Sequence, residues 1–323
     1  MMKGVSIIIC TFNGRDRLSE TIKHIANQQV PNHIRWEVIL ADNASTDGTL
    51  EFSKELWNRQ ELQEVPFRSI VESKPGKLYA LQKAVLAATF EYIVICDDDN
   101  WLAPDYIKKM FAILDSHPDV GAAGGYGIPT TDNDKFPDWF ENYLYAYAVG
   151  AQEKQTGYVK PRGVLWGAGL GTKRSIYLKM YKDYQSFLPE SDKNILSAED
   201  TEYCMRLILK GYRLYYDSSL IYKHYIPPYK LTTNFRDEKL LKGFKDANEI
   251  LRKYYAAMRA TLKVKGKPHV WLGLLLVSPI NILFSFSAKS AEKARDTLYH
   301  LLPFRSNSGK ISARIKNFML NDR

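Results

Sequence analysis

The sequence predicts an α/β fold, a doubly wound and mostly parallel sheet with a helical C-terminal appendage. Two observations predict it. Short apolar runs of strand length end repeatedly in polar clusters, and a segment of helical periodicity follows each cluster. One run, residues 92–96 (Y-I-V-I-C), closes on three carboxylates, Asp97, Asp98 and Asp99, at the end of a strand where open α/β sheets bind ligands. Three anions side by side are costly unless a cation is shared between them. Hard oxygen ligands there suit Mg²⁺ or Mn²⁺ and a phosphate-bearing substrate. The plainer alternative is a solvated acidic turn before the helix that Pro104 and Asp105 announce.

The elements follow in order. Residues 5–10 (V-S-I-I-I-C) form a buried strand with Thr11-Phe12-Asn13-Gly14-Arg15 at its tip. Asp16 caps a helix that places Leu18, Ile22 and Ile25 on one face. Residues 36–41 make a second strand, ending in Asp42 and a polar run to Gly48, with a helix from about Thr49. Residues 67–72 are a weaker strand, followed by Lys74-Pro75-Gly76-Lys77 and a helix over 78–88. The acidic strand comes next, then a helix from Pro104 to about His117 and a strand over 120–123. Strand, polar tip and helix, repeated four times, gather the loop chemistry on one edge. Residues 136–147 (F-P-D-W-F-E-N-Y-L-Y-A-Y) read as aromatic core, although such rings can also stack on sugars. Residues 166–171 read as a glycine-rich strand, and 197–200 open a helix that stops at Gly211. A strand over 212–217 precedes His224, which is structural or solvated unless a metal lies near it.

Composition bounds the function. Of 323 residues, 45% are hydrophobic and 25% charged, enough for a substantial core. The net charge of +9 is uneven: residues 201–323 hold 23 basic against 9 acidic side chains, and residues 1–200 hold 22 against 27. The acidic front half suits a metal site, while the basic back half calls for an anionic partner. Nucleic acid is not that partner. Cys10, Cys96 and Cys204 fit no metal or disulfide spacing, and the apolar run near the start is too short for a signal peptide. Both features predict a cytoplasmic protein. Neither G-x-G-x-x-G nor G-x-x-x-x-G-K-[ST] occurs, which argues against a dinucleotide enzyme and a P-loop. The tips nonetheless suit a nucleotide. Thr11 and Asn13 offer hydrogen bonds to base or ribose, Arg15 a fork for phosphate, Asp42 an acceptor, and Lys77 a cation beside Gly76.

With those residues in hand, the sequence resembles the inverting nucleotide-sugar glycosyltransferases of family 2, which have a GT-A fold. V-S-I-I-I-C-T-F-N-G-R is similar to that family's opening strand and nucleoside loop, and A-D-N-A-S-T-D-G-T to its second signature. C-D-D-D-N-W-L-A-P-D-Y-I resembles its metal-binding D-x-D segment. G-A-G-L-G-T-K-R-S resembles the acceptor-side strand, and A-E-D-T-E-Y-C-M-R-L-I-L-K-G-Y-R the helix bearing the base. The five motifs keep their order and cover residues 4 to about 225.

The resemblance implies roles. Thr11, Asn13, Arg15 and Asp42 would line the nucleoside pocket, Lys77 would sit by the diphosphate, and Asp98 would touch the ribose. Asp99 would bind a divalent ion, Mn²⁺ or Mg²⁺, with Asp97 beside it by strand alternation and His224 as a further ligand. Asp200 would be the general base, with Glu199 or Trp166 holding the acceptor sugar. One base and no enzyme nucleophile imply inversion at the anomeric carbon. The donor would be a nucleoside-diphosphate sugar, most simply uridine-linked. Two departures matter: the N-x-G before the lysine reads Lys74-Pro75-Gly76, and the Q-x-x-R-W of processive synthases is missing, which implies single-sugar transfer. The rivals are a nucleotidyltransferase, which usually carries a glycine-rich phosphate loop not found at residues 11–15, and a non-catalytic sugar-binding protein on the same fold.

The catalytic domain is expected over 1–230 and a basic, mostly helical region over 231–323. Within it, residues 270–288 carry no charge and would reach about 28 Å as a straight helix, barely the ~30 Å hydrocarbon core. Pro279 and Asn281 interrupt the run, and lysines and arginines flank both sides. That pattern predicts peripheral attachment to the inner face of the cytoplasmic membrane, beside anionic lipid and a lipid-linked glycan acceptor of bacterial surface polysaccharide assembly. The alternative is a helix buried against the catalytic domain or a second subunit.

Overall fold

The computed structural model describes residues 2–242, apart from 61, 63, 161–163, 183–184, 187 and 189–197, and beyond them Tyr254, Ile315 and Phe318. Four strands set the frame: β1 (Met2–Thr11), β2 (Trp36–Asp42), β3 (Phe67–Val71) and β4 (Phe90–Asp97). They run parallel in the spatial order β3-β2-β1-β4, joined by α1 (Arg15–Ala26), α2 (Thr49–Asn58) and α3 (Lys77–Ala87). The chain steps outward from β1 to β3 and then returns to place β4 on the other side of β1. The carboxyl ends of β1 and β4 therefore flank a topological switch point, where such sheets open a crevice.

Alternation along β1 explains the two covered faces. Ile7 and Ile9 pack with Leu18 and Ile22 of α1, while Ile8 packs with Leu81 and Val85 of α3. Each of these isoleucines is fully buried, worth about 1.5–3 kcal/mol apiece.

The second half of the sheet is mixed. β5 (Asn100–Leu102) leads to α4 (Tyr106–Ser116), β6 (Val120–Thr130) and the short β7 (Gly157–Tyr158). β8 (Gly171–Lys173) is antiparallel to both β4 and β6, and α5 (Arg174–Tyr181) and α6 (Glu199–Leu209) lead to β9 (Arg213–Tyr225). β9 pairs with β6, β5 and β7.

The four strand–tip–helix units match the expectation, and the differences are local. α1 starts from Gly14, and Asp16 lies in its first turn without capping it. A Cβ at Gly14 would collide with the Thr11 hydroxyl and the Asp98 carboxylate, so the backbone must turn tightly there. Of the glycine-rich run 166–171 only Gly171 lies in a strand, at the start of β8. Gly169 sits at φ +69, Leu170 N–H bonds the Gly167 carbonyl, and the Tyr106 hydroxyl donates to the Gly169 carbonyl at 2.7 Å. A left-handed residue so held ends extended pairing. β6 and β9 run longer than expected, and β9 carries His224 within it.

The aromatic stretch divides its labour. It forms a 3₁₀ helix, Phe140–Tyr147, in which Phe140 and Tyr147 are buried with Ile226 and Leu240 while Tyr145 is 60% exposed. The apolar segment 270–288 lies outside the described residues. Of the C-terminal region, Tyr254, Ile315 and Phe318 are buried in the cluster shared by α5 and α6. Among the described residues no helix is long and apolar enough to cross a membrane.

Candidate active site

A cleft of about 390 Å³ lies at the switch point. One side is polar and includes Thr11, Arg17, Asn43, Lys77, the three aspartates, Glu199 and Asp200; the other includes Tyr145, Trp166, Ile226, Phe235 and Leu240.

The acidic turn forms because β4 ends at Asp97, leaving Asp98 and Asp99 as a turn into β5. Fully buried Asn100 fastens it by accepting from the Asp97 N–H at 3.1 Å, and the Thr21 hydroxyl donates to the Asp98 carbonyl at 2.8 Å. This turn corrects the expectation that Asp97 and Asp99 share a strand face, since alternation stops where the strand does. Each carboxylate instead meets its own cation. Asp97 pairs with Lys77 at 2.6 Å. Asp98 receives both arms of the Arg17 fork, at 2.8 and 3.0 Å, and the Thr11 hydroxyl at 2.7 Å. Asp99 lies 3.3 Å from Lys230 and 3.4 Å from His224. Three separate protein cations thus offset three adjacent anions. Among the described residues no three His, Cys, Asp or Glu side chains converge on one point.

The electrostatics follow. Burial alone would raise Asp99, but His224, Lys230 and Arg17 hold it well below the ordinary aspartate range. Burial alone would lower Lys77, yet Asp97 and Glu199, the latter at 3.1 Å, raise it well above the usual lysine value. Asp200 differs from both. It stands in the first turn of α6, and its carboxylate accepts from the Gly167 N–H at 2.8 Å and the Thr201 N–H at 2.6 Å. Burial, then the Glu199 charge, raises it from the ordinary aspartate value to about 6. A carboxylate poised near neutral pH, oriented by two amides and facing a cleft, has the properties of a general base.

The remaining residues are placed as follows. Asp42 is 3% exposed, and its Oδ2 accepts from the Ser45 N–H at 3.3 Å. Its Oδ1 has no hydrogen-bond partner among the described residues. Asn13, at φ 46, accepts from the Thr46 N–H at 2.9 Å and so ties the β1 tip to the loop after β2. Asn13, Arg15 and Asp42 do not line the cleft, although Asn43, next to Asp42, does. Arg15 lies over the Phe52 ring, 4.9 Å from its centroid, and bonds the Asp47 carbonyl. The guanidinium in the cleft belongs to Arg17, one residue pair further along α1. Sequence reasoning passed over it because Arg15 sits inside the recognisable motif; the signal was that Arg17 and Thr21 share a helix face. Asn43 was also passed over. Its amide bonds the Glu72 and Lys74 carbonyls at 3.0 and 2.7 Å and the Gly76 N–H at 2.7 Å, clamping the loop before Lys77. Trp166 is 6% exposed, with its backbone N–H donating to Gln152 Oε1 at 2.7 Å and its ring edge-on to Tyr145.

Two donors suit a divalent ion. The Tyr147 carbonyl can only accept, so His224 Nδ1, 2.8 Å away, must donate to it, which leaves Nε2 facing Asp99. An imidazole oriented by a backbone carbonyl beside a buried carboxylate is a donor set that Mn²⁺ or Mg²⁺ accepts.

A mostly parallel sheet with a switch-point cleft, an acidic turn at the end of β4 and a poised carboxylate in the first turn of α6 is the GT-A architecture of sugar transferases. The sequence profile of Glycosyl transferase family 2 matches residues 6–169, and that of Glycosyl transferase family group 2 matches residues 92–304. The chain belongs to glycosyl transferase family 2. It is 25% identical over 193 residues, 56% of this chain and 74% of the relative, to a Bacillus subtilis protein assigned as the teichuronic acid biosynthesis glycosyltransferase TuaG. Among solved structures it is similar to S. aureus TarS 1-349 in complex with UDP, with TM-score 0.54 and 19% identity. The match covers 79% of this chain and 65% of that one. It is also similar to the mannosyltransferase PcManGT from Pyrobaculum calidifontis in complex with GDP-Man and Mn²⁺, with TM-score 0.53 and 21% identity over all of this chain and 89% of that one.

Proposed function

We propose that this glycosyltransferase is an inverting, metal-dependent enzyme. It moves one sugar from a nucleoside-diphosphate sugar, most simply uridine-linked, to a hydroxyl of a lipid-linked glycan in surface polysaccharide synthesis. The observation that carries the reading is Asp200: a carboxylate raised to about 6, held by two backbone amides, in the same cleft as the acidic turn. Asp200 takes the proton of the acceptor hydroxyl as it attacks the anomeric carbon, and the absence of a role for an enzyme nucleophile gives inversion. The unpartnered Asp42 Oδ1 accepts from the base or ribose. Lys77 lies where it can oppose the charge that develops on the leaving diphosphate. Asp99 and His224 Nε2 would hold the divalent ion, while Asp97 stays paired with Lys77; when bound, the ion supplies Lewis-acid stabilisation to that leaving group. Tyr145 and Trp166 offer rings to the acceptor sugar, Glu199 lines the same cleft in its pair with Lys77, and Ile226, Phe235 and Leu240 add an apolar surface suited to a lipid carrier.

The UDP bound in the TarS structure and the GDP-Man and Mn²⁺ bound in PcManGT support the donor and ion classes, and the assignment of TuaG to teichuronic acid biosynthesis supports the acceptor class. The test is a panel of nucleotide-sugars, with and without Mn²⁺, read by thermal stabilisation and by the product released. Metal-dependent stabilisation with release of nucleoside diphosphate is expected. Formation of nucleoside triphosphate and sugar 1-phosphate when pyrophosphate is added would instead identify a nucleotidyltransferase, and no shift with any donor would leave a sugar-binding protein.

A further inference from the structure

Lys230 reaches the acidic turn from 131 positions along the chain from Asp99. It sits in the 3₁₀ turn Pro228–Leu231, whose Lys230 carbonyl accepts from the Tyr147 hydroxyl at 2.7 Å. The Tyr147 carbonyl in turn holds His224 at 2.8 Å, so one residue fixes both groups that meet Asp99. Both oxygens of Asp99 already have polar partners. Lys230 occupies Oδ2, while the Asn100 amide, at 3.2 Å, and His224 share Oδ1. The Asp99 and Lys230 side chains are only 9% and 27% exposed, so water does little to weaken the pairing.

A divalent ion that takes Oδ2 while an ammonium group holds it binds more weakly, because two cations then repel each other across one carboxylate. Lys230 cannot simply leave either, since a partly buried lysine needs an anion. A nucleoside diphosphate resolves the conflict by bringing negative oxygens to the same place, and the flexible four-carbon stem of lysine allows the ammonium to swing toward them.

We propose that Lys230 guards Asp99 until the donor arrives. In the empty cleft it competes with the divalent ion for the carboxylate, and when ion and donor bind together its ammonium moves onto the donor's diphosphate. The inference rests on reading the cleft as a metal-dependent nucleotide-sugar site. It gives that site an order of assembly, in which the ion enters with the donor rather than before it.

The test uses the full chain as wild type, Lys230→Met and Lys230→Arg. Mn²⁺ alone is titrated first, by calorimetry or water-proton relaxation, and UDP is then titrated both without Mn²⁺ and at saturating Mn²⁺. Lys230→Met is expected to bind Mn²⁺ alone about threefold to fivefold more tightly than wild type, the scale of one partly screened ion pair. The same variant is expected to bind UDP about tenfold more weakly, the loss of one charge-assisted contact to phosphate. Lys230→Arg keeps the charge and should track wild type in the first titration. A damaged fold would weaken both ligands, so the opposite signs identify the exchange. Mn²⁺ affinity that is unchanged or weaker in Lys230→Met, or UDP affinity that is unchanged, overturns the guard while leaving the metal-dependent reading intact. UDP binding that ignores Mn²⁺ in all three proteins overturns the metal reading, and the guard with it.

Discussion

The two walls of the cleft are built by different means. The polar wall stands on the ends of β1, β2 and β4, central strands buried on both faces, and its side chains are fixed by short hydrogen bonds and ion pairs. The opposite wall comes from a 3₁₀ helix and from residues 226–240, and it presents rings and aliphatic groups such as the exposed Tyr145. Rigid strand ends suit a reaction in which a misplaced carboxylate costs orders of magnitude. A wall of loops tolerates change, which suits recognition of an acceptor. Asp200 belongs to the polar wall but comes from α6, a helix that packs against the sheet while its carboxylate faces the cleft.

The comparison breaks most visibly at Asp200. Asp200→Asn should lower turnover by about 10²-fold or more, the scale of a lost general base, while donor binding persists. In the wild-type enzyme kcat/KM should fall as pH drops through about 6, where Asp200 takes up a proton. Stability should move the other way. An acid raised in the fold contributes fully below its unfolded value near 4 and loses that contribution as pH rises through about 6. Asp200→Asn should therefore melt no lower than wild type at pH 8. A variant that turns over normally would remove Asp200 from the reaction.

Arg17 tests the polar wall. Arg17→Met strands the Asp98 carboxylate, whose side chain is 10% exposed, and should cost on the order of 2–3 kcal/mol by denaturant unfolding. A change below about 0.5 kcal/mol would mean that the fork over Asp98 does not hold the turn. Tyr145→Ala tests the other wall, where the exposed ring offers one stacking surface. It should raise the acceptor KM about fivefold, with donor hydrolysis unchanged. A change confined to donor kinetics would reverse the assignment of that wall. The smallest effect belongs to Arg15, whose guanidinium lies on Phe52 rather than in the cleft. Arg15→Ala should bind UDP within about twofold of wild type, and a loss above tenfold would return Arg15 to the phosphate site.

Much of the polar wall was legible because its groups sit within a few residues of a strand end. An apolar run such as 92–96 has to be buried, so the position of Asp97–Asp99 at a sheet edge followed from local pattern alone. The aromatic stretch 136–147 was half legible. Its periodicity marked core, and Phe140 and Tyr147 are core, but the exposed Tyr145 comes from the wind of the 3₁₀ helix. The glycine-rich run at 166–171 misled because glycines permit both a strand and a left-handed turn. The Tyr106 hydroxyl on the Gly169 carbonyl, 63 residues away, stabilises the turn.

By itself the sequence determined the four strand–tip–helix units, their order and the family, because burial patterns and turn chemistry act over a few residues. Only the tertiary structure decided which cation answers which carboxylate. Lys77, Arg17 and Lys230 reach the acidic turn from the start of α3, from α1 and from a 3₁₀ turn. Arg17 and Lys230 lie 81 and 131 positions from their partners. Long flexible side chains carry no periodic signature of their target. Their pairing is set by which elements the sheet topology brings to one edge, and there three neighbouring anions, alike in sequence, acquire three different partners.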